Sequence, residues 1–158
     1  MSSRRVDEVK FRNGEWWFWL RHRNPLRVAF NFSICSLSML CPFPRIKNAL
    51  LGLTGMKVDG SAFIAMGAAL DIFYPELVEI GRNAIIGYGC VITAHEMLPG
   101  VLRTGKVRIG ADTLVGARCV VLPGVEIGEG AQVGAMSLVN SDVPRKGFYA
   151  GVPARKIR

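Results

Sequence analysis

The chain has 158 residues and a net charge of +8, and half of its residues are hydrophobic, which suits about one domain with a sizeable core. Its basic residues lie at the ends: residues 1–57 hold ten Lys or Arg against three acidic residues, and 145–158 hold five against none. Residues 58–144 hold five basic against nine acidic residues, and this lack of a continuous basic stripe argues against a nucleic-acid partner.

Residues 1–23 are polar and basic apart from one aromatic run, Trp16-Trp17-Phe18-Trp19-Leu20. Arginines flank this run, so it could lie at a membrane interface. It could equally pack on the body of the protein or on a neighbouring subunit. We prefer packing, and a weak membrane association through this N-terminal segment stays open as the alternative.

Two helices are predicted before residue 55. Asn24-Pro25 is typical of a helix start, with Asn as the N-cap and Pro at the first helical position. This helix should run to about Leu40, because Cys41-Pro42-Phe43-Pro44 ends it. A second helix is expected over about 45–53, with an apolar face made of Ile46, Ala49, Leu50 and Leu53.

Four cysteines show no CxxC or zinc-site spacing, and we interpret them as reduced structural residues. That interpretation predicts a cytoplasmic location. The apolar run over 28–40 is too short, and too often interrupted by polar residues, to span a bilayer.

A six-residue repeat occupies most of 58–139 and is clearest after residue 108. Its aliphatic positions there are Ile109, Val115, Val121, Ile127, Val133 and Val139, and its small positions are Thr113, Cys119, Val125, Ala131 and Ser137. A period of six fits neither a flat strand nor an α-helix and is typical of a solenoid. Three hexapeptides would form one triangular coil of a parallel β-helix, with glycine after many aliphatics to permit unusual backbone angles and close approach.

The repeat therefore predicts an all-β fold with three segments. Residues 1–55 would form an N-terminal segment whose helices cap the first coil, because a solenoid exposes an apolar end. Residues 56–144 would form the β-helix. Residues 145–158 would leave it as a basic tail.

The repeat is interrupted twice. It slips by four residues after Leu70, where 71–76 indicate a bulge or short loop. It stops again after Ile92, where an excursion loop over about 93–107 begins with Thr93-Ala94-His95-Glu96 and contains two turn signals.

His95 is the candidate for chemistry, because a histidine can transfer protons at neutral pH. A lone loop histidine often has no role. Here a strict repeat breaks where the histidine occurs, and irregular loops on a regular scaffold commonly carry active sites. Glu96 could orient the ring, or it could simply be solvated. Two histidines are too few for a three-histidine zinc site, and we expect no metal.

The aliphatic-Gly repeats, the interrupting loop with His-Glu, and the ending Gly151-Val152-Pro153-Ala154-Arg155 resemble the hexapeptide-repeat acyltransferases. The maltose and galactoside O-acetyltransferase-like branch is the most similar, over roughly residues 56–158. The resemblance implies a left-handed parallel β-helix that assembles as a homotrimer, with sites in the grooves between subunits. It also implies acetyl-CoA as donor and His95 as the general base toward a hydroxyl or amine of a small acceptor such as a sugar.

By the same resemblance, backbone groups at two alanines would contact the pantetheine arm, and basic residues near the end of the chain would meet the nucleotide phosphates. A pair of small polar residues stands where the family often has Thr-Lys, and one nearby lysine could replace the missing charge. The expected coenzyme A contacts are Ala117, Ala135, Asn140, Ser141, Lys146, Arg155 and Arg158. Acceptor contacts are expected from the bulge, at Asp71, Tyr74 and Glu76.

Two other functions fit the repeat itself. One is a non-catalytic trimeric scaffold. The other is a carbonic-anhydrase-like metalloenzyme of the same fold, which the small number of histidines opposes.

Overall fold

The computed structural model describes residues 4–157, apart from the side chain of Trp16. Its helices are α1 (Trp19–His22), α2 (Pro25–Leu40) and α3 (Pro44–Leu53), with 3-10 turns at Trp16–Phe18 and Pro75–Leu77. Its strands are β1 (Asp7–Lys10), β2 (Lys57–Val58), β3 (Phe63–Ile64), β4 (Ala69–Leu70), β5 (Val78–Ile80), β6 (Ile85–Ile86), β7 (Val91–Ile92), β8 (His95–Leu98), β9 (Val101–Thr104), β10 (Val107–Ile109), β11 (Leu114–Val115), β12 (Val120–Val121), β13 (Glu126–Ile127), β14 (Gln132–Val133), β15 (Leu138–Val139), β16 (Phe148–Ala150) and β17 (Arg155–Lys156).

Three parallel sheets form the body of the protein. The chain visits the sheets in turn, so each strand pairs in parallel with the strand one coil away. The first face contains β2, β5, β10 and β13; the second contains β3, β6, β11, β14 and β16; the third contains β4, β7, β12 and β15. This arrangement is the parallel coil that the six-residue repeat predicts.

The interior follows the repeat closely. All aliphatic positions between Ile109 and Val139 are buried, and so are the small positions between Thr113 and Ser137. Val115 stacks on Val133 in the next coil and on Ile86 in the previous one. Each such aliphatic side chain contributes about 1.5–3 kcal/mol by its burial.

Glycine in the repeat serves the close approach of neighbouring coils. A Cβ at Gly110 would lie 2.6 Å from the backbone nitrogen of Glu129, and none of the left-handed φ values falls on this glycine. The left-handed backbone occurs two residues later, at Asp112 with φ 54°. Of the two expected reasons for glycine, space is therefore the one that applies here.

Gly110→Ala is expected to lower the free energy of unfolding by about 1–3 kcal/mol, because the added methyl group must displace backbone of the next coil. Gly60→Ala is the matched control at the same corner of the first coil, where a Cβ meets nothing within 4 Å. It should be neutral or stabilising by up to about 1 kcal/mol. Urea unfolding of both variants tests this, and equal losses would contradict it.

Helix α3 contacts the first coil through polar side chains. Lys47 Nζ donates a hydrogen bond to the carbonyl of Ile64 at 2.9 Å. Asn48 Nδ2 donates to the carbonyls of Asp59 and Ala62 at 2.9 and 2.8 Å. Within residues 4–157 no earlier coil pairs with these carbonyls, although that of Asp59 also accepts the N–H of Ala62. A buried carbonyl without a donor would be costly, which explains polar residues on this side of the helix.

The predicted apolar face of the second helix points away from the first coil. Ile46, Ala49 and Leu53 point outward and are exposed, and Leu50 is half-buried. The inward positions are taken by hydrogen-bond donors and by Leu51. Among the helices described within residues 4–157, none is long and apolar enough to cross a membrane.

The excursion loop is a β-hairpin. Strands β8 and β9 pair antiparallel, and β1 adds to the free edge of β9, with Asp7 opposite Thr104. The backbone N–H of Phe11 also donates to the carbonyl of Gly100 at the hairpin turn, at 2.9 Å. No sequence pattern predicted β1, so the N-terminal segment has an unexpected role in holding this hairpin.

The parallel stacking continues beyond residue 144, so the predicted exit from the solenoid there is wrong. Val143 forms a parallel bridge with Ile127. Strand β16 pairs in parallel with β14, and β17 folds back antiparallel on β16. The basic tail is thus anchored on the second face.

Candidate active site

Both interruptions of the repeat leave the solenoid at one corner, between the third and first faces. Leu70 in β4 lies opposite Ile92 in β7, so Asp71 lies next to the residues that follow β7. The same column continues through β12 and β15, which places Asn140 at this corner in the last coil. We call this corner, with Asp71, 93–95 and Asn140, the histidine corner.

The histidine corner brings an aspartate onto the His95 ring. Nδ1 of His95 lies 2.5 Å from Oδ2 of Asp71. The same oxygen accepts the backbone N–H of Ala94 at 2.7 Å, and Oδ1 accepts those of Phe73 and Tyr74 at 2.9 and 2.8 Å. The Asp71 side chain is fully buried, whereas the His95 side chain retains access to solvent at 22%.

These hydrogen bonds set the charge of the aspartate. Burial alone would raise the pKa of Asp71, but the His95 hydrogen bond and charge, with the N–H groups of Tyr74 and Ala94, lower this pKa below its ordinary value. An ionised carboxylate only accepts hydrogen bonds, so Nδ1 of His95 carries the hydrogen. The lone pair of Nε2 is then free to accept a proton.

Aromatic side chains surround the ring. The centroids of Phe73 and Tyr74 lie 5.1 and 5.7 Å from that of His95, and Trp19 packs edge-on against Phe73. Packing is thus observed for part of the N-terminal aromatic run, including the buried Phe18.

An arginine lies over the ring of Tyr74 and is held there by an ion pair. The Arg23 guanidinium lies 3.7 Å from the centroid of the Tyr74 ring and also pairs with Glu76. Burial raises the pKa of Tyr74, with Arg23 acting in the opposite direction. Tyr74 therefore stays a neutral hydroxyl at physiological pH, next to the histidine.

Asp71, and not Glu96, holds the histidine ring. The Glu96 carboxylate pairs with Arg4 at 2.9 Å, which ties the N-terminal segment to the hairpin. The sequence predicts Asp71 as an acceptor contact, and the structure places its buried carboxylate against the His95 ring. One sequence signal could have identified the contact between Asp71 and His95. Both interruptions of the repeat begin after the same position of the coil.

A second group of predicted residues lies at the corner between the second and third faces. Ala117 and Ala135 stack in successive coils, and the N–H of Met136 donates to the carbonyl of Ala117 at 2.8 Å. Arg155 in β17 lies opposite Ala150, near the end of this column. We call this corner, with Ala117, Ala135 and Gly151, the alanine corner.

Three of the remaining predicted coenzyme A contacts lie away from the alanine corner. Asn140 and Ser141 lie at the histidine corner, where Asn140 Oδ1 is buried without a hydrogen-bond partner among residues 4–157. Lys146 lies at the third corner, where its N–H donates to the carbonyl of Glu129. Arg158 lies outside the described residues.

A concave surface with a volume of about 640 Å³ lies elsewhere, along the first face. Glu79 there pairs with Lys57 and Arg108 at 3.2 and 3.0 Å. These are paired surface charges, and the lining contains no histidine or cysteine. Within residues 4–157, no three His, Cys, Asp or Glu side chains are placed to hold a metal ion.

Comparison with known proteins bears on this site. Residues 106–141 match the family described as "Bacterial transferase hexapeptide (six repeats)". The chain is 42% identical over 133 residues to the Bacillus subtilis (strain 168) protein named "Putative acetyltransferase YvoF", covering 84% of this chain and 77% of that protein.

Solved structures share the fold at lower identity. The hexapeptide-repeat containing acetyltransferase VCA0836 of Vibrio cholerae O1 biovar eltor, complexed with acetyl coenzyme A, superposes with a TM-score of 0.72 at 19% identity, over 84% of this chain and 86% of that one. A galactoside acetyltransferase in complex with coenzyme A gives 0.65 at 20% identity, over 85% and 80%.

Proposed function

The chain belongs to the hexapeptide-repeat acyltransferase family, and we propose that it transfers an acetyl group from acetyl-CoA to a hydroxyl or amine of a small acceptor such as a sugar. The observation that carries this proposal is the hydrogen bond between His95 and the buried, ionised Asp71. The donor is supported by the relative's name and by the acetyl-CoA and coenzyme A in the two solved structures.

In the proposed mechanism, Asp71 holds the hydrogen on Nδ1 of His95, and Nε2 acts as the general base. Nε2 takes the proton from the acceptor as the acceptor oxygen or nitrogen attacks the thioester carbonyl. The C–S bond then breaks, and the proton on His95 passes to the departing thiolate of coenzyme A. A thioester is already activated, so no covalent enzyme intermediate is needed.

The neighbours of His95 have supporting roles in this proposal. Tyr74 offers its hydroxyl and ring to the acceptor, and Glu76 fixes the arginine that lies over that ring. Glu96 is a positioning residue, because its ion pair with Arg4 fixes the base of the hairpin.

The donor is proposed to lie along the alanine corner. Small side chains at Ala117 and Ala135 leave the backbone open to the thin pantetheine arm. Arg155, with Arg158, would meet the phosphates, since cations favour multiply charged phosphate. Asn140, Ser141 and Lys146 lie at other corners and would reach the donor only from a neighbouring subunit.

A homotrimer with sites between subunits is part of this proposal, and the outer faces support it. The second face presents an exposed apolar ladder of Phe63, Ile85 and Leu114, aligned by strand register, whereas the first face carries ion pairs. Exposed apolar patches commonly mark interfaces. The histidine corner and the alanine corner lie at opposite edges of the third face. A neighbouring subunit that packs on the second face would therefore complete a groove with this protomer.

The finer features of the fold belong to the same proposal. The coil is left-handed, as the family resemblance implies. Residues 1–55 cap the first coil, supported by the hydrogen bonds of Lys47 and Asn48. The location is cytoplasmic.

Calorimetry with acetyl-CoA tests the proposal without knowledge of the acceptor. Wild-type protein is expected to bind with a Kd between about 1 μM and 1 mM, and no heat at millimolar ligand would overturn the function. Ala135→Leu should weaken binding about tenfold, because the larger side chain obstructs the pantetheine arm. Ala49→Leu, at an exposed alanine on α3, is the control and should bind as wild type.

A further inference from the structure

Helix α2 has a largely polar inner face. Val28, Asn31 and Ser38 are buried against the body, and Cys35 is half-buried between them. Asn31 Nδ2 donates to the carbonyl of Ile72 at 2.9 Å, and Ser38 Oγ donates to that of Cys35 at 2.7 Å. As in α3, polar side chains face the protein.

The outward side of both helices is apolar. On α2, Leu26 and Leu40 are 80% and 81% exposed, and Phe30 and Leu37 are exposed between them on the same side, with Ser33 as the one polar residue there. A surface helix normally shows the opposite pattern, with polar residues outward. The exposed residues, which we call the helical apolar face, are Leu26, Phe30, Leu37, Leu40, Phe43, Ile46 and Leu53.

The charge around this face favours an anionic partner. From residue 16 to residue 56 the chain has five Lys or Arg and no Asp or Glu. Arg21, Arg27 and Arg45 are exposed among these residues. Two copies meeting through this face would bring like charges together, which is unfavourable. Negatively charged lipid headgroups over an acyl layer satisfy both the basic and the apolar side chains.

We propose that the helical apolar face docks this protein on an anionic lipid surface. The helices lie in the interface without crossing it. The docking would be close to the histidine corner, because Asn31 binds the backbone of Ile72, next to Asp71, and Trp19 packs on Phe73. An acceptor presented at the lipid surface would then be near His95. The docking itself does not depend on the proposed acetyl transfer.

Flotation of the full chain with vesicles tests the docking. Partition onto mixed phosphatidylcholine and phosphatidylglycerol vesicles should exceed that onto phosphatidylcholine alone by about tenfold or more, and should fall with added salt. The double variant Leu26→Gln with Leu40→Gln should lose about tenfold or more of this partition. Met66→Gln with Met97→Gln, at exposed methionines of the solenoid and hairpin, should float as wild type.

Three results would overturn the proposal: full flotation of the leucine variant, equal flotation of the methionine variant and the leucine variant, or equal partition onto neutral and anionic vesicles. Light scattering without lipid identifies the alternative occupant. A smaller assembly of the leucine variant, with no vesicle binding by wild type, would assign the face to a second copy. Thermal melting checks that both variants fold. His95→Ala should float as wild type, so a failed acetyl transfer and a failed docking are distinguishable.

Discussion

Replacing His95 by alanine is expected to lower kcat for acetyl transfer by about 10³-fold, since general-base catalysis supplies about 10²–10⁴-fold. The reason is specific to the geometry. The hydrogen bond to Asp71 leaves Nε2 as the only ring nitrogen that can accept a proton from an acceptor. The rate is measured as the release of free coenzyme A in reactions with a panel of hydroxyl and amine acceptors, followed by chromatography.

The chain's other histidine provides the matched control. His22→Ala removes a ring that packs on Phe18, and it should retain kcat within about twofold, because surface substitutions seldom matter more. The affinity of His95→Ala for acetyl-CoA should be unchanged, because the donor is proposed to lie along the alanine corner. Full acetyl transfer by His95→Ala would remove His95 as the base and leave the fold assignment intact.

The period of six made the body of the fold predictable. Its aliphatic positions can all face inward only if the chain turns after every hexapeptide, and the structure buries every one from Ile109 to Val139. The helix ends were predictable from the sequence for a different reason. Asn24 accepts the N–H of Leu26 and Pro25 starts the helix, so both signals act within a few residues.

Contacts that depend on other parts of the chain were not predictable in the same way. The inner face of α3 is chosen by unpaired carbonyls of the first coil, such as that of Ile64, which hydrophobic periodicity does not register. Strand β1 forms because the free edge of the hairpin is available to it, and 7–10 carry no apolar alternation of their own.

The site itself was half predictable. His95 stood out because it opens an interruption of the repeat. Its partner Asp71 opens the other interruption, 24 residues earlier, and the two meet only because Leu70 and Ile92 occupy the same slot in successive coils. An alignment of the repeat across both interruptions would have placed Asp71 and His95 at the same corner. Glu96 could be expected to orient the ring because it adjoins His95 in sequence, but its carboxylate pairs with Arg4.

Asp71→Asn is expected to lower kcat by about 10²-fold with little change in acetyl-CoA affinity, because partners that orient a catalytic or ligating histidine typically contribute about 10–100-fold. An amide has one acceptor oxygen where the carboxylate has two. If that oxygen keeps the N–H groups of Phe73 and Tyr74, the NH₂ group faces Nδ1 of His95 and the N–H of Ala94. Nδ1 must then accept, the hydrogen moves to Nε2, and the base is lost.

Comparison with two other substitutions separates orientation from folding. Asp71→Ala leaves the N–H groups of Phe73, Tyr74 and Ala94 without their acceptor, and it should cost about 3–5 kcal/mol of unfolding free energy as well as activity. Asp112→Asn, at an exposed aspartate of another corner, should change neither property appreciably. An Asp71→Asn protein with normal kcat would reject Asp71 as the positioning residue.

The pH dependence of stability tests the same hydrogen bonds independently of catalysis. Because the pKa of Asp71 is lower in the folded protein than in the unfolded chain, its ionisation stabilises the fold above about pH 4. This contribution is lost as the pH falls through the lowered folded pKa, since protonation then removes the acceptor of the His95 hydrogen. Asp71→Asn has no such titration, so the difference in unfolding free energy between wild type and this variant should shrink below about pH 4. A constant difference across that range would mean that the buried carboxylate does not hold His95 through its charge.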